Sequence, residues 1–324
     1  MQNTLKNGII SNIFTVFRPK IGFSLNFSKY WANNNNVMLT ALKRSSKSGI
    51  MMNSLDIEIM NKEIIKLPNF EEQKRVGWLF SDLDTLITLH QRKLDKLKNI
   101  KNQLLERMFA DEKNPKPAIR FKQFTNDWEQ RSFSQIVLPY RTKNLLNLNL
   151  KSYSISNKQG FVYQNDFFKN GGKAVSANKI NSLIVEPFSF AYNPARIDVG
   201  SIGYYKNDEK CLISPLYEIF KTQNNINDGF MLYWFKTNLF SEIINNNKEG
   251  SVRSTFYLKN ILSEKINIPN IREQTKISIL FNDFNSLITL HQRKLDKLNI
   301  NYFDNNIYLI GFEIFKIKME VKLV

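Results

Sequence analysis

The side chains that could perform catalysis or bind a metal are sparse in this sequence. Its 324 residues include two histidines, His90 and His291, and one cysteine, Cys211. A single cysteine can form neither an intrachain disulfide nor a Cys-x-x-Cys metal site, and such low usage fits a reducing compartment. The sequence also lacks a Gly-rich phosphate loop of the Walker type. An intrachain disulfide, a Cys-x-x-Cys metal site and a Walker-type nucleotide site are therefore excluded.

Two weak catalytic patterns remain. Asn193-Pro194-Ala195-Arg196 has one proline and no stacking aromatic residue, so it does not match the Asp/Asn-Pro-Pro-Tyr/Phe signature of amino-methyltransferases. Asp56, followed 16 residues later by Glu72-Gln73-Lys74, is similar to a nuclease motif. A second copy of the surrounding sequence has Tyr257 and Thr275 in place of Asp56 and Lys74, which argues against a nuclease.

That second copy belongs to a long internal repeat. The twelve residues Leu86–Leu97 recur unchanged as Leu287–Leu298, and 19 of the 31 positions from 67 to 97 match their counterparts at an offset of 201. Solenoid repeats run about 20–50 residues, so this period indicates a duplicated module. His90 and His291 share one position in the repeat. Because no carboxylate lies nearby in a triad-like arrangement, we interpret both as packing or helix-surface residues.

The repeat predicts a long amphipathic helix. Heptads written from Leu83 give an apolar stripe about three residues wide per two turns, over roughly 30 residues or about 45 Å. Leu-Pro-Asn at 67–69 and Ile-Pro-Asn at 268–270, each followed by acidic residues, predict the helix starts. Since one helix cannot bury its own stripe, we expect the two copies to pair as an antiparallel coiled coil. The expected pairing residues are Leu83, Leu86, Ile87, Leu94, Leu97, Ile100, Leu104, Leu287, Ile288, Leu295 and Leu298.

The segment between the repeats predicts a mixed domain, which makes the fold class α+β. Short apolar runs at 161–163, 182–185, 188–192 and 212–220, separated by glycines, are typical of strands. Residues 228–244 have helical periodicity. Tyr153 and Phe161, at strand spacing, are expected in the core rather than stacked on bases.

The domain organisation follows from these elements. Residues 11–17, 30–31 and 49 match 214–220, 233–234 and 250, so residues 1–66 are interpreted as the C-terminal third of a domain whose complete version is 114–267. The helical regions are 67–113 and 268–298. Residues 299–324 depart from the first copy and are interpreted as a foreign or poorly ordered tail.

Net charge points to a polyanionic partner. The chain has a formal charge of +17. Residues 1–66 carry nine basic and three acidic side chains and residues 114–267 carry 20 and 12, whereas the repeated segments are nearly balanced. Basic segments of this kind bind nucleic acid by neutralising phosphates, although a merely solubilising surface would have the same composition.

Candidate DNA contacts are polar and basic residues on the predicted loops of 114–267. Arg reads guanine, Asn and Gln read adenine, and Lys mostly contacts phosphates. The candidates are Arg141, Lys143, Asn157, Lys158, Gln159, Lys179, Asn193, Arg196, Lys206 and Arg253.

The chain resembles the DNA-specificity subunits of type I restriction-modification systems. Residues 117–121 through 124–129 resemble the family's entry into a target-recognition domain, and 190–203 with 214–217 resemble its middle. Residues 250–253 resemble its exit, and Leu86–Leu97 resembles the conserved helix. The resemblance covers about residues 11–298. The chain departs from the family in lacking most of the first recognition domain and in the short distal helix.

The resemblance implies a non-catalytic subunit that binds a two-part site in double-stranded DNA. It also implies partner methyltransferase and restriction subunits in a bacterial cytoplasm, and these partners would hold the S-adenosylmethionine, ATP and Mg²⁺. No catalytic, cofactor or metal site is then expected in this chain. A homodimer is a further expectation, because the first helix exceeds its shortened partner. The sequence contains no run of 18 apolar residues, so no membrane span is predicted.

Three alternatives stay open at this point: a self-contained DNA-modifying or DNA-cleaving enzyme, a coiled-coil scaffold whose charge is incidental, and a non-functional or recombination-cassette fragment of a specificity subunit. The enzyme would need a cofactor or metal motif, and the scaffold would leave the basic segments unexplained.

Overall fold

The computed structural model describes residues 22–32, 43–47, 54–62, 67–168, 179–249 and 255–303. The chain divides into two compact units, one containing residues 1–95 and 289–324 and the other containing residues 96–288. Helices and β-sheets occur together, and two helices are much longer than the rest. The predicted α+β class with long helices is confirmed.

The two long helices are α3 (Phe70–Arg107) and α7 (Ile271–Phe303). Each begins directly after its Pro-Asn pair, as predicted. The Asn69 side-chain oxygen accepts a hydrogen bond from the Glu72 amide at 2.9 Å, and Asn270 does the same for the Glu273 amide at 3.0 Å. Such caps satisfy amides that have no partner within the helix. The helix starts are therefore encoded in the repeated residues themselves.

The two long helices are antiparallel. In the first unit, His90 Nδ1 lies 2.9 Å from His291 Nδ1. In the second unit, Lys101 Nζ donates to Asn285 Oδ1 at 2.7 Å. From the first contact to the second, the residue number rises along α3 and falls along α7, so the two helices run in opposite directions. Since His90 and His291 are equivalent in the repeat, the pairing of the two copies is centred on these histidines.

The predicted pairing residues differ in burial. Leu94 and Leu295 are buried at 1% and 2% exposure. Leu86 and Leu287 are each 44% exposed and lie outside the buried part of the helix pair. The remaining members are partly buried, namely Leu83, Ile87, Leu97, Ile100, Leu104, Ile288 and Leu298.

The histidine contact predicts a pH dependence of stability. Burial lowers the pKa of His291, and the charges of His90, Lys294 and Lys93 lower it further. Folding therefore favours the neutral imidazole. The resulting contribution to the free energy of unfolding is complete above about pH 6.5, the usual histidine pKa. It is lost as the pH falls from there through the lower folded pKa. We expect His291→Gln to flatten this part of a urea-unfolding profile measured from pH 7.5 to 5. An unchanged slope would contradict the prediction.

The first unit contains α1 (Leu25–Ala32), a two-stranded ladder of β1 (Ser46–Lys47) and β2 (Ser54–Leu55), and α2 (Ile57–Met60). The Asp56 carboxylate accepts hydrogen bonds from the amides of Glu58 and Ile59 at 2.9 and 3.2 Å, and Lys74 pairs with Glu71 at 3.0 Å. Asp56 and Lys74, two members of the nuclease-like pattern, therefore have structural contacts.

The second unit holds the mixed domain, whose strands form several small antiparallel sheets. The strands are β3 (Glu129–Ser132), β4 (Val137–Tyr140), β5 (Thr142–Lys143), β6 (Tyr153–Ser156), β7 (Gly160–Tyr163), β8 (Leu183–Val185), β9 (Ser189–Tyr192), β10 (Ile202–Tyr205), β11 (Cys211–Ile213), β12 (Glu218–Thr222) and β13 (Lys265–Ile268). A four-stranded sheet has the order β10-β9-β12-β4 and a three-stranded sheet the order β11-β8-β5, while β13 pairs with β3 and β6 with β7. The helices are α4 (Gln164–Phe167), α5 (Asp228–Trp234) and α6 (Asn238–Asn247).

Three sequence predictions need refinement. The predicted helix over 228–244 is two helices, because Thr237 caps the start of α6 by accepting the Phe240 amide at 3.4 Å. The predicted strand over 212–220 is β11 and β12 separated by a turn closed by Tyr217 N–H to the Ser214 carbonyl. Helix α7 continues past Leu298 to Phe303. The rest of the tail lies outside the described residues.

The core of the second unit is aromatic. Trp234, Phe133, Phe190 and Phe230 are almost fully buried, together with the α7 residue Phe281. Phe190 stacks on Phe220 at 5.2 Å between ring centroids. This core fixes the ends of β9, β10 and α5 and so positions the polar residues that follow them.

The same contacts recur where a short helix packs on each long helix. Gln73 donates to the Pro68 carbonyl and accepts the Ser24 amide at the start of α1. Gln274 likewise donates to the Pro269 carbonyl and accepts the Asn227 amide at the start of α5. The ring pairs Tyr30–Phe80 and Tyr233–Phe281 lie 5.0 and 4.9 Å apart. The packing of α1 on α3 therefore repeats that of α5 on α7.

Candidate DNA interface

One cavity in the second unit gathers four of the ten residues predicted to contact DNA. It has a volume of about 810 Å³, and Asn157, Lys158, Gln159 and Lys206 line it. The first three form the turn between β6 and β7, and Lys206 follows β10. All four side chains are exposed. We call this cavity the hairpin groove.

Two glycines hold the turn in place. Gly160 has a φ of +68°, a backbone conformation that favours glycine. A Cβ at Gly203 in β10 would lie 3.0 Å from Gly160 Cα, so the turn rests directly on the neighbouring strand. Ser156 Oγ also accepts the Lys158 amide at 3.2 Å. The side chains of 157–159 are therefore presented from a constrained loop.

Aromatic rings support the hairpin groove. Tyr153 and Phe161 lie 5.5 and 5.0 Å from Tyr205 between ring centroids. Tyr153 and Phe161 are partly buried and pack against the smaller of the two cores of this unit. The two rings therefore pack against this core, as predicted, and also line the groove.

The hairpin groove is rich in positive charge. Besides Lys158 and Lys206 it contains Lys236, which directly follows Phe235 at the end of α5. Lys236 is exposed, and partial burial of its amine together with the charges of Lys101 and Lys206 lowers its pKa. Asp198 also lines the groove, and Lys248 pairs with it at 3.3 Å.

The other predicted contact residues lie elsewhere. Arg141 donates to the carbonyls of Pro215 and Tyr217 and lies 3.6 Å from Glu218. Lys143 is exposed on β5. Lys179 borders a second cavity of about 320 Å³.

Asn193 and Arg196 belong to the turn after β9. The Asn193 side-chain oxygen accepts the Ala195 amide at 3.0 Å, and the Arg196 amide donates to the Asn193 carbonyl at 2.9 Å. The exposed Arg196 side chain is not among the residues lining the groove. Arg253 lies outside the described residues.

Sequence reasoning missed Lys236 and Lys101. Both lie in or next to helices, whereas the search was confined to predicted loops. No local signal marks either residue, because a lysine after the last turn of a helix is common.

Other chemistry is not evident in the described part of the chain. No group of three or more His, Cys, Asp or Glu side chains there could hold a metal ion. Burial raises the pKa of Cys211 to about 12, so its thiol is protonated at neutral pH. No described helix is long and apolar enough to cross a membrane.

A mixed domain with a basic groove, joined in one chain to duplicated antiparallel helices, defines a class of DNA-specificity proteins. The family described as "Type I restriction modification DNA specificity domain" matches residues 5–99 and 113–299. The chain belongs to this family.

One solved structure shares the fold, and a second is similar over much of its length. The type I restriction-modification S subunit from M. genitalium is 12% identical with a TM-score of 0.51, and the match covers 86% of this chain and 70% of that one. The HsdS subunit from Thermoanaerobacter tengcongensis is 13% identical with a TM-score of 0.48, covering 84% of this chain and 66% of that one. This chain therefore spans about two thirds of the HsdS length. No curated protein matches it.

Proposed function

We propose that this chain is the DNA-reading subunit of a type I restriction-modification complex and that it contacts double-stranded DNA through the hairpin groove. The observation that carries this proposal is the convergence of Asn157, Lys158 and Gln159 with Lys206 on one cavity. Asn and Gln side chains read adenine edges, and lysines neutralise phosphates. Family membership supports the assignment to DNA.

The roles differ along the groove. Asn157 and Gln159 are the base-reading candidates, and Lys158 and Lys206 set the register on the backbone. Three further residues extend the contact beyond the groove, namely Lys143, Lys179 and Arg196. Asn193 shapes the turn that presents Arg196, because its side chain is bonded to the Ala195 amide. Arg141 and Arg253 complete the candidate set.

The domain organisation is part of the proposal. Residues 114–267 form a complete target-recognition domain, and residues 1–66 correspond to the C-terminal third of another. The packing of α1 on α3, which repeats that of α5 on α7, supports this assignment of residues 1–66. Residues 67–113 and 268–298 are the conserved helical regions, which set the spacing of a two-part site, and 299–324 is a divergent tail.

The helices are the proposed docking surface for methyltransferase and restriction subunits. Leu89 and Leu290, which are equivalent in the repeat, are each 47% exposed, as expected for apolar residues that a partner covers. A second copy of this chain is the alternative occupant. Catalysis belongs to the partners, which would bind S-adenosylmethionine, ATP and Mg²⁺ in the cytoplasm. A self-contained enzyme is disfavoured because Asp56 and the Cys211 thiol have structural roles.

The hairpin groove makes a testable prediction about salt dependence. Lys158→Ala and Lys206→Ala should each weaken duplex binding and reduce the slope of log K against log salt by about 0.9, because one phosphate contact is lost. Gln159→Ala should instead change which sequences are preferred, measured by selection from a random duplex library. The exposed Lys122, outside the groove, is the matched control. If Lys122→Ala has the same effect as Lys206→Ala, the groove is not the interface.

A further inference from the structure

Asp84 and Asn285 occupy equivalent positions in the two helix copies but differ in charge. In the first unit, the Asp84 carboxylate accepts hydrogen bonds from Lys29 Nζ and from the Tyr30 hydroxyl, both at 2.7 Å. A cation next to the tyrosine is thus neutralised by a carboxylate on the long helix. The second copy lacks both members of this ion pair, because Leu232 and Asn285 stand in the places of Lys29 and Asp84.

In the second unit, an amide stands in the carboxylate's place. Asn285 Nδ2 lies 2.6 Å from the Tyr233 hydroxyl, and Asn285 Oδ1 accepts from Lys101 Nζ at 2.7 Å. Lys236 Nζ lies 5.5 Å from the centre of the Tyr233 ring. One ammonium group therefore lies over the Tyr233 ring, and the other binds the uncharged α7 amide that contacts the Tyr233 hydroxyl.

Lys101 is partly buried and Lys236 is exposed at the groove, and each lies close to other positive charge or away from water. Burial lowers the pKa of Lys101 and that of Lys236, and the Lys236 pKa is lowered further by Lys101 and Lys206. No described carboxylate forms an ion pair with any of these three lysines. Neighbouring like charges destabilise the fold unless an anion binds between them. An arrangement of this kind is expected where a ligand supplies the missing charge.

We infer that Lys101, Lys236 and Asn285 form a binding site for a phosphate group. Lys101 uses one of its three N–H donors on Asn285, and Lys236 lines the hairpin groove. Because Lys206 lines the same groove, the site continues the proposed DNA surface onto the long helix α3. The inference rests on the proposed function for the source of the phosphate, a DNA backbone, whereas the site itself requires only an oxyanion.

The decisive variant is Asn285→Asp, which restores the residue of the first copy. The new carboxylate should pair with Lys101 and occupy the anion's place. We expect the melting temperature to rise while duplex affinity falls about 3- to 10-fold, with a salt slope lower by about 0.9. Opposite changes in stability and affinity separate this effect from unfolding. Lys236→Met should weaken binding similarly, and Lys98→Met, which removes an exposed lysine on α3, should not.

A second measurement identifies the source of the phosphate. Inorganic phosphate is titrated at constant ionic strength while the melting temperature is followed. Stabilisation of the unaltered protein but not of Asn285→Asp indicates a site that takes free phosphate. Weakened duplex binding without that stabilisation indicates that the backbone phosphate of DNA is the ligand. If Asn285→Asp and Lys236→Met change neither measurement, the inference is wrong. The groove assignment then stands if Lys158→Ala still weakens binding.

Discussion

Arg120→Ala is expected to lower the free energy of unfolding by about 3–5 kcal/mol. Arg120 Nε and Nη2 donate to the two carboxylate oxygens of Glu273 at 2.7 and 2.8 Å. The Glu273 side chain is 0% exposed and that of Arg120 is 13% exposed. Removing the guanidinium leaves a buried carboxylate without its counter-ion, which costs far more than the loss of a surface pair. Urea unfolding followed by circular dichroism measures the change.

A surface ion pair in the same segment is the matched control. Lys116 and Asp127 lie 3.0 Å apart with side chains 61% and 59% exposed, so Lys116→Ala should cost at most about 1 kcal/mol. The double variant Arg120→Leu/Glu273→Leu should recover most of the loss, because it removes both charges. Equal effects of Arg120→Ala and Lys116→Ala would show that the buried Arg120–Glu273 pair does not stabilise the packing of the segment around Arg120 on α7.

Gly229→Asn should destabilise the chain by about 3 kcal/mol, and Ser278→Gly in the same chain should restore most of the loss. A Cβ at Gly229 would lie 2.0 Å from Ser278 Oγ and 3.1 Å from Ser278 Cβ. The equivalent positions in the first copy are Asn26 and Gly77. Each helix crossing therefore contains one glycine, which lies on the short helix in the second crossing and on the long helix in the first. The double variant gives the second crossing the residues of the first.

The first crossing provides a contrast to this rescue. A Cβ at Gly77 would lie 2.6 Å from the Phe27 nitrogen and 2.9 Å from the Asn26 carbonyl carbon, which are backbone atoms. Asn26→Gly cannot remove them, so Gly77→Ser should stay destabilised in the double variant. The four variants and their two double variants are compared by urea unfolding. Full rescue at both crossings, or none at either, would contradict the assigned contacts.

Local signals and the pairing of the repeated helices were readable from the sequence, whereas contacts between unrelated segments were not. The starts of α3 and α7 were predictable because Asn69 and Asn270 cap amides three residues away. The exposure of Leu86 was not, because a strict seven-residue pattern drifts around a helix of 3.6 residues per turn. Where the pairing is tight, at Leu94, the pattern and the burial agree.

The same limit applies to the candidate site. Asn157 to Gln159 are contiguous and could be selected by residue type alone. Lys101, Lys236 and Asn285 are distant in sequence and meet only through the packing of α3, α5 and α7, so no local pattern predicted their proximity. The splitting of the 228–244 helix likewise depended on the Thr237 cap, which an apolar periodicity does not register.

The contact between His90 and His291 has a consequence for synthesis on the ribosome. Its two members are 201 residues apart in the chain. At about 5–20 residues per second, the first helix waits roughly 10–40 s before its partner is made. During that interval the side chain of Leu94, which is buried in the finished fold, is open to water on the nascent polypeptide. Slow codons between the two copies would therefore raise the demand for chaperones. Completion of residues 114–267 would not lower that demand, because the partner helix is made only afterwards.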